Sequence, residues 1–281
     1  MKRILIKGKN SYIGNSFEKW VTNDDNFYVE KISLKDGNWE KIDFSTFDVV
    51  IHVAGIVHVK ETRDKQPLYY KINRDLAFRI AQKSKKEGVL QFVFLSTMNI
   101  YGINSGKIDK GTKPEPKTRY GKSKLEAEQL INGLQDNKFF VAILRPPMVY
   151  GKNCKGNYAK LSKLAQRTFL FPNIVNRRSM IYVDNLTEFI KQLVINMDSG
   201  IFFPQNSEYV CTSELVFYIA KCHNKKIHFT KIFNYLLRAS EFKSLNKIFG
   251  NLVYEMEMSE YKNNYRVCDF KESIKLSEGK L

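Results

Sequence analysis

Cysteine is scarce in this chain, and its placement excludes two kinds of stabilised domain. The 281 residues include four cysteines, all in the second half: Cys154, Cys211, Cys222 and Cys268. None belongs to a C-x-x-C pair, so neither a disulfide framework nor a zinc site is expected. We therefore predict no metal and a protein that works in a reducing compartment.

Long apolar runs are also missing. No stretch of about 18 consecutive apolar residues occurs, so we expect no transmembrane helix. The N-terminal segment Met1–Gly8 lacks the apolar region and the small-residue cleavage site of a secretory signal. This segment is typical of a first β-strand, and we expect a cytoplasmic protein.

Acidic residues are too few to balance the basic ones. Asp and Glu number 29 against 46 Lys and Arg, which gives a net charge of +17. Solvated lysine-rich faces, an anionic small substrate such as a nucleotide sugar, and an anionic lipid or nucleic acid are the alternatives. Because the lysines are dispersed, the first explanation is favoured, and no nucleic-acid partner is expected.

Strands and helices alternate through the first half of the chain. Short apolar strands are predicted at Arg3–Lys7, Phe27–Ser33, Asp48–Ala54, Gln91–Ser96 and Phe139–Leu144, with helices between them, including one from Leu68 to Glu87. This alternation predicts an α/β fold, a Rossmann-type doubly wound parallel sheet, with a smaller mixed α/β substrate lobe on its C-terminal side.

The domain boundaries follow from where this alternation loosens. We expect residues 1–178 to form mainly the cofactor-binding domain, with residues 179–200 returning to it. Residues 201–281, with parts of 151–178, would form the small lobe. Within that lobe we expect a strand at Tyr209–Cys211 and a helical stretch from Ile232 to about Val253, which mixes apolar and basic residues. That stretch either caps the substrate site or lies on a membrane surface, and the cap is favoured.

A glycine turn follows the first strand and opens a helix. It runs Gly8-Lys9-Asn10-Ser11-Tyr12-Ile13-Gly14, with serine at the middle position of the spacing. Free backbone amides at the start of a helix can receive a pyrophosphate, so Gly8, Ser11, Tyr12, Ile13 and Gly14 are candidate cofactor-binding residues. An ordinary strand–turn–helix connection has the same pattern.

The cofactor's ribose should lie at the end of the second strand. An acidic residue there would bind the 2′-hydroxyl of NAD. Ser33 and Lys35 occupy this region, which leans towards the 2′-phosphate of NADP and leaves NAD open.

The third strand closes on His52-Val53-Ala54-Gly55. The small residues Val53, Ala54 and Gly55 would let the backbone approach the adenosine half of the cofactor. His52 and His58 have no third ligand at a suitable spacing, so a core or cleft-lining histidine is favoured over a metal ligand.

Tyr120 and Lys124 are the most informative pair in the sequence. Positions four apart share one face of a helix, so the two side chains point the same way. A lysine ammonium beside a phenol favours the phenolate, and we expect it to lower the pKa of Tyr120 towards a range useful for proton transfer.

Taken in order, these motifs resemble the extended short-chain dehydrogenase/reductases, in particular the NAD-dependent epimerase/dehydratase group that includes UDP-glucose 4-epimerases. The resemblance covers about residues 1–190 and also uses Asn73, Ser96-Thr97, Tyr101-Gly102, Arg145-Pro146-Pro147 and the segment from Arg178 to Leu186. It implies that Thr97, Tyr120 and Lys124 are catalytic, with Ser96 a second candidate beside Thr97. It also implies that Asn73, Pro147, Tyr120 and Lys124 hold an NAD or NADP cofactor, and that Thr97, Asn157 and Arg178 bind a nucleotide-diphosphate sugar.

Two departures from the family pattern bear on the reaction. Ser11 replaces a glycine, and Met98 follows Thr97 where dehydratases carry an Asp-Glu pair, which argues against dehydration. The resemblance therefore implies a UDP-sugar 4-epimerase of surface polysaccharide biosynthesis, with a 4-keto sugar reductase as the close alternative. A non-catalytic NAD(P)-sensing or RNA-binding protein is a third hypothesis, and a homodimer is left open.

Overall fold

The computed structural model describes residues 1–33, 38–56, 66–232 and 249–279. The strands are β1 (Lys2–Lys7), β2 (Phe27–Ile32), β3 (Val49–His52), β4 (Gln91–Leu95), β5 (Gly106–Ile108), β6 (Phe140–Leu144), β7 (Met148–Tyr150), β8 (Leu170–Pro172), β9 (Met180–Tyr182), β10 (Gly200–Phe202), β11 (His228–Thr230) and β12 (Leu252–Tyr254). The helices are α1 (Tyr12–Val21), α2 (Gln66–Tyr69), α3 (Ala77–Lys86), α4 (Arg119–Asn132), α5 (Asn157–Arg167), α6 (Val183–Asn196), α7 (Thr212–Cys222) and α8 (Phe270–Ser277).

The chain divides into two compact units. The first contains Met1–Gly102, Lys113–Pro146 and Leu186–Pro204, and the second contains Ile103–Thr112, Pro147–Asn185 and Gln205–Leu281. Within the segment 179–200, which we expected to return to the first domain, residues 186–200 belong to the first unit and residues 179–185 belong to the second. The short segment Ile103–Thr112 belongs to the second unit although the sequence around it belongs to the first.

A six-stranded parallel sheet forms the centre of the first unit. Its strand order is β10-β6-β4-β3-β1-β2, with every neighbouring pair parallel. The central strands are continuous apolar runs because both faces of such a sheet are covered by helices. This topology confirms the expected Rossmann-type fold.

One face of this sheet packs against α3 and α4. Its core includes Leu5, Val50, Phe92, Val141 and Ile143 from the strands, together with Ala77, Ile80, Ala127 and Ile131 from the helices. The α3 helix presents these apolar positions at helical spacing and ends before Gly88, whose φ of +83° gives the left-handed turn that glycine favours. The catalytic candidates of α4 are thereby held against the carboxyl ends of β4 and β6.

The predicted helix from Leu68 to Glu87 is wrong in detail. A π-helical segment, Tyr70–Leu76, separates α2 from α3. Such segments shift the side chains that follow out of regular α-helical register, and they occur often at functional sites. This one carries Asn73, which the regular helix would place differently.

In its described residues, the second unit combines short parallel strand pairs with three α-helices. The pairs are β5–β12, β7–β9 and β8–β11, and the helices are α5, α7 and α8. The strand expected at Tyr209–Cys211 is only a single bridge from Val210 to Arg178, and the expected helical stretch ends in a strand, β12. Residues 233–248 of that stretch lie outside the described residues. No helix in the described part of the chain is long and apolar enough to cross a membrane.

Candidate active site

The glycine turn joins β1 to α1 by close backbone contacts. Gly8 has a φ of +127°, and a Cβ atom there would lie 3.3 Å from the backbone nitrogen of Ala54. At Gly14, a Cβ would lie 3.0 Å from Ile6 and 3.2 Å from Val53. Both glycines therefore allow the helix to start close to the ends of the strands, as a dinucleotide site requires.

Ser11, which departs from the family glycine, is the N-cap of α1. Its φ of −69° and ψ of 133° are ordinary extended backbone, and its side chain accepts a hydrogen bond of 3.4 Å from the Gly14 amide. Serine is a favoured N-cap residue, so it replaces glycine here without backbone strain. Tyr12 and Ile13 form the first turn of the helix, where the helix dipole favours an anion.

The end of β2 carries no acid where the structure describes it. Ser33 is exposed directly after the strand, and the carbonyl of Ile32 accepts hydrogen bonds from the amides of Gly8 and Lys9. Lys35 lies outside the described residues.

Asn73 is fully buried and fixes the chain after β3. Its Oδ1 accepts from the Ile56 amide at 2.9 Å, while its Nδ2 donates to the Ile56 carbonyl at 3.1 Å and to Ser123 at 3.2 Å. A Cβ on Gly55 would lie 3.1 Å from Asn73 Oδ1 and 3.6 Å from Lys124 Nζ. The structure thus brings Gly55, Asn73 and Lys124 together.

The Thr97 hydroxyl lies close enough to the Tyr120 phenol to influence its pKa. Thr97 ends the segment after β4 and caps the short 3-10 turn Met98–Tyr101, and Tyr120 lies in the first turn of α4. Burial raises the pKa of Tyr120 to about 12, and the nearby Thr97 hydroxyl opposes this rise. The phenol is therefore a neutral group close to a second hydroxyl.

Lys124 lies on the same face as expected, but it does not lower the pKa of Tyr120. Its buried ammonium donates to the Leu95 carbonyl at 2.7 Å and lies 4.4 Å from the centre of the Phe94 ring. Burial lowers the pKa of Lys124 itself to about 8. The prediction that Tyr120 has a lowered pKa is wrong, because desolvation of the phenol raises its pKa more than its neighbours lower it.

Ser96, the second candidate beside Thr97, is committed elsewhere. Its hydroxyl hydrogen-bonds to the buried Glu128. Glu128 also accepts from Arg145 Nη2 at 2.6 Å and from Arg145 Nε at 3.1 Å, and Arg145 donates to the Tyr101 hydroxyl at 2.9 Å. Thr97 is therefore the hydroxyl that faces Tyr120.

Glu128 is the residue that sequence reasoning missed. It follows Lys124 by four positions, as Lys124 follows Tyr120, so all three lie on one face of α4. That spacing of four residues was the feature of the sequence that could have identified Glu128. The ion pair with Arg145 ties this face to the ends of β4 and β6.

In the second unit, Arg178 is a largely buried cation held by backbone groups. Its Nη1 donates to the Gly250 carbonyl at 2.9 Å, and its own backbone bridges Val210 and Leu252. Burial lowers the pKa of the guanidinium, and no described carboxylate forms an ion pair with it. Pro147 also belongs to this unit, just before β7, and Asn157 is the exposed first residue of α5.

His52 lies in the protein core. His52 is fully buried, its ring parallel to Phe92 and Phe94, and desolvation holds its pKa well below the usual range. His58 lies outside the described residues. Within the described ranges, no group of three or more His, Cys, Asp or Glu side chains is arranged to hold a metal.

Comparison with known proteins places this geometry in context. The model of the NAD dependent epimerase/dehydratase family matches residues 14–202. A UDP-glucose 4-epimerase of Vibrio cholerae is 27% identical over 76% of this chain and 74% of its own length. An N-acetyl-alpha-D-glucosaminyl-diphospho-ditrans,octacis-undecaprenol 4-epimerase of Escherichia coli O157:H7 is 26% identical over 80% of this chain and 73% of its own.

Solved structures share the fold over nearly the whole chain. A dTDP-4-dehydrorhamnose reductase from Clostridium acetobutylicum superposes with a TM-score of 0.74 at 19% identity, covering 99% of this chain and 98% of the other. A UDP-glucuronic acid 4-epimerase from Bacillus cereus, in complex with NAD, gives 0.73 at 19% identity, covering 99% and 97%.

Proposed function

This chain belongs to the NAD-dependent epimerase/dehydratase family, and we propose that it is a cytoplasmic UDP-sugar 4-epimerase of surface polysaccharide biosynthesis. The observation that carries the proposal is the placement of the Thr97 hydroxyl close to the Tyr120 phenol, with Lys124 one turn along the same helix. A protein that only senses a dinucleotide has no need of this proton-transfer set.

The residues around the glycine turn fit an NAD or NADP cofactor. The positive end of α1, with no acidic residue in its first turn, would face the pyrophosphate, and Gly8 and Gly14 let this helix start lie close to Ala54, Ile6 and Val53. The nucleotide would be lined by Val53, Ala54, Gly55 and Asn73, and Lys124 would hold the nicotinamide end. When bound, the nicotinamide takes up and returns a hydride at carbon 4 of the sugar.

Tyr120 would remove the proton from the sugar 4-hydroxyl and later return one. Thr97 would hold that hydroxyl in line, since its own hydroxyl lies close enough to the phenol to influence its pKa. Burial favours the neutral phenol, so the tyrosine suits the step in which a proton is given back to the sugar oxygen. Lys124 would orient the ribose from the position where it contacts the Leu95 carbonyl.

Arg178 would bind the diphosphate of the substrate. A buried guanidinium that has a backbone carbonyl but no described carboxylate partner retains donors and charge for an anion. The relatives act on sugars linked to UDP or to a lipid diphosphate, and the diphosphate is common to both.

A 4-keto sugar reductase is the second candidate. Ser33 stands at the end of β2 where NAD enzymes carry an acid, which favours an exchangeable NADP over a retained NAD. The same Thr97 and Tyr120 would serve a reductase, because the protonated oxygen is the same.

The test is turnover with a panel of sugar nucleotides. Purified protein is incubated with UDP-glucose, UDP-N-acetylglucosamine and UDP-glucuronic acid, without added cofactor, and with dTDP-4-keto sugars plus NADPH. An epimerase converts a UDP-sugar, and Tyr120→Phe loses about 10²–10⁴-fold in rate. The exposed Tyr28→Phe is the matched control.

The outcomes separate the candidates. NADPH oxidation that requires a 4-keto sugar would transfer the assignment to the reductase. Full activity of Tyr120→Phe, or no turnover of any diphosphate sugar, would contradict both candidates.

A further inference from the structure

The most exposed large apolar side chains gather at one small sheet of the second unit. Val175 is 91% exposed, Ile232 is 80% exposed and Phe169 is 74% exposed. Apart from the N-terminal methionine, the next most exposed large apolar residue of the described chain is Ile195, at 52%. Single exposed apolar residues are common, but a concentration of the extreme cases marks an interaction surface.

The three residues flank the strands β8 and β11. Phe169 precedes β8, and its carbonyl accepts a hydrogen bond from the His228 amide at 2.8 Å. Val175 follows β8, and Ile232 follows β11 at the same end of the pair, where Pro172 is opposite Thr230. The backbone that presents these side chains is therefore fixed by sheet pairing.

Each apolar residue has an exposed cation within two positions along the chain. Arg167 precedes Phe169, Arg177 follows Val175, and Lys231 precedes Ile232. We call these six residues the β8–β11 rim. Long cationic side chains can place their stems among apolar groups and their charges at a polar boundary.

Acids are missing from the sequence around the rim. Residues 137–183 contain nine Lys and Arg and no Asp or Glu, and residues 215–232 contain four lysines and no acid. Thirteen of the 46 basic residues therefore lie in two acid-free stretches of sequence that include the whole rim. The nearest acidic residues along the chain are Asp184, seven positions after Arg177, and Glu241, nine positions after Ile232.

We propose that the β8–β11 rim docks on the surface of an anionic lipid bilayer, with Phe169, Val175 and Ile232 inserted among the headgroups. Apolar tips paired with cations are the composition of interfacial membrane sites. Each nearby lysine or arginine adds attraction to an anionic leaflet. The occupant is a bilayer because a folded anionic partner would need a complementary pocket for each of three separate apolar tips.

The experiment is flotation of the full chain with vesicles at about 0.15 M salt. We expect binding to phosphatidylcholine vesicles that contain about a quarter phosphatidylglycerol, and little binding to pure phosphatidylcholine. The apolar variant Val175→Ser/Ile232→Ser should bind at least about tenfold more weakly. The charge variant Arg167→Gln/Arg177→Gln/Lys231→Gln should lose about fivefold per cation and should flatten the dependence on phosphatidylglycerol.

Matched controls come from the first unit. Ile195→Ser removes an exposed apolar residue, and Lys41→Gln/Lys86→Gln/Lys138→Gln removes three exposed cations, so both should bind as the wild type does. Circular dichroism verifies that each variant is folded. All substituted side chains are exposed, so the substitutions should leave the fold unchanged.

Three results would overturn the proposal. The first is flotation of the rim variants to the same extent as the controls, which would mean that net charge alone accounts for the binding. The second is a dimer, seen by light scattering, that Val175→Ser/Ile232→Ser dissociates, because the rim would then bind a second copy of the chain. The third is loss of binding to a labelled single-stranded RNA in the rim variants without loss of vesicle binding.

Discussion

Glu128 is expected to be the structural support of the active-site helix, and Glu128→Gln tests this. The carboxylate is buried, receives both Nε and Nη2 of Arg145, and hydrogen-bonds to Ser96. Replacing it by an amide removes the negative charge while keeping the size of the side chain. Arg145, which is 7% exposed, would then be a buried cation that has lost the Glu128 carboxylate.

The expected loss of stability follows from the desolvation of the Arg145 guanidinium. Removing one partner of a buried ion pair costs about 3–5 kcal/mol, because the remaining charge is no longer compensated. Replacing both partners by apolar groups of similar volume is often close to neutral. We therefore expect Glu128→Gln and Arg145→Met each to destabilise strongly, and the double variant Glu128→Leu/Arg145→Met to destabilise less than either.

The measurement is the free energy of unfolding from urea titration at a fixed pH. The exposed salt bridge between Arg79 and Glu40 offers a matched control, and Glu40→Gln should cost less than about 1 kcal/mol. Because Glu128 holds α4 against β4, we also expect the turnover number of Glu128→Gln to fall more than its substrate affinity. Additive costs of less than about 1 kcal/mol for Glu128→Gln and Arg145→Met would refute this reasoning.

Three further predictions concern buried charges and the phenol. Arg178→Ala should weaken binding of the sugar nucleotide by about 1.5–3 kcal/mol in calorimetry and leave cofactor binding unchanged. The exposed Arg177→Ala control should bind both ligands as the wild type does. An equal loss of affinity for both ligands would mean that Arg178 supports the fold instead of binding the substrate. Lys7 is fully buried with its ammonium 3.9 Å from the Phe44 ring, and burial lowers its pKa from 10.5 to about 7. The unfolded chain binds more protons than the folded one above about pH 7, so wild-type stability should gain about 2 kcal/mol from this group between about pH 7 and about pH 9, and Lys7→Met should lack that gain. A pH dependence of unfolding that is identical in both proteins would contradict this. Finally, the difference in absorbance at about 295 nm between wild type and Tyr120→Phe should show a phenol with a pKa near 12 in the cofactor-free protein, and a transition near neutral pH would contradict the dominance of burial.

The sequence alone determined the features that depend on local pattern. Apolar strands alternating with helices specified the parallel sheet, and the glycine turn after β1 marked the start of α1. The spacing of Tyr120 and Lys124 placed both on one face of α4. These predictions succeeded because backbone conformation and side-chain direction within one element depend on residues only a few positions apart.

The tertiary structure decided which distant groups meet. The network of Ser96, Glu128 and Arg145 joins β4, α4 and the end of β6, and it left Thr97 to face Tyr120. The π-helical segment placed Asn73 against Ile56, and packing alone showed that burial raises the pKa of Tyr120 against the expected effect of Lys124. Sequence pattern indicates that a residue is buried on a given face, but desolvation and hydrogen bonding depend on the partners that strand order and register bring to that face.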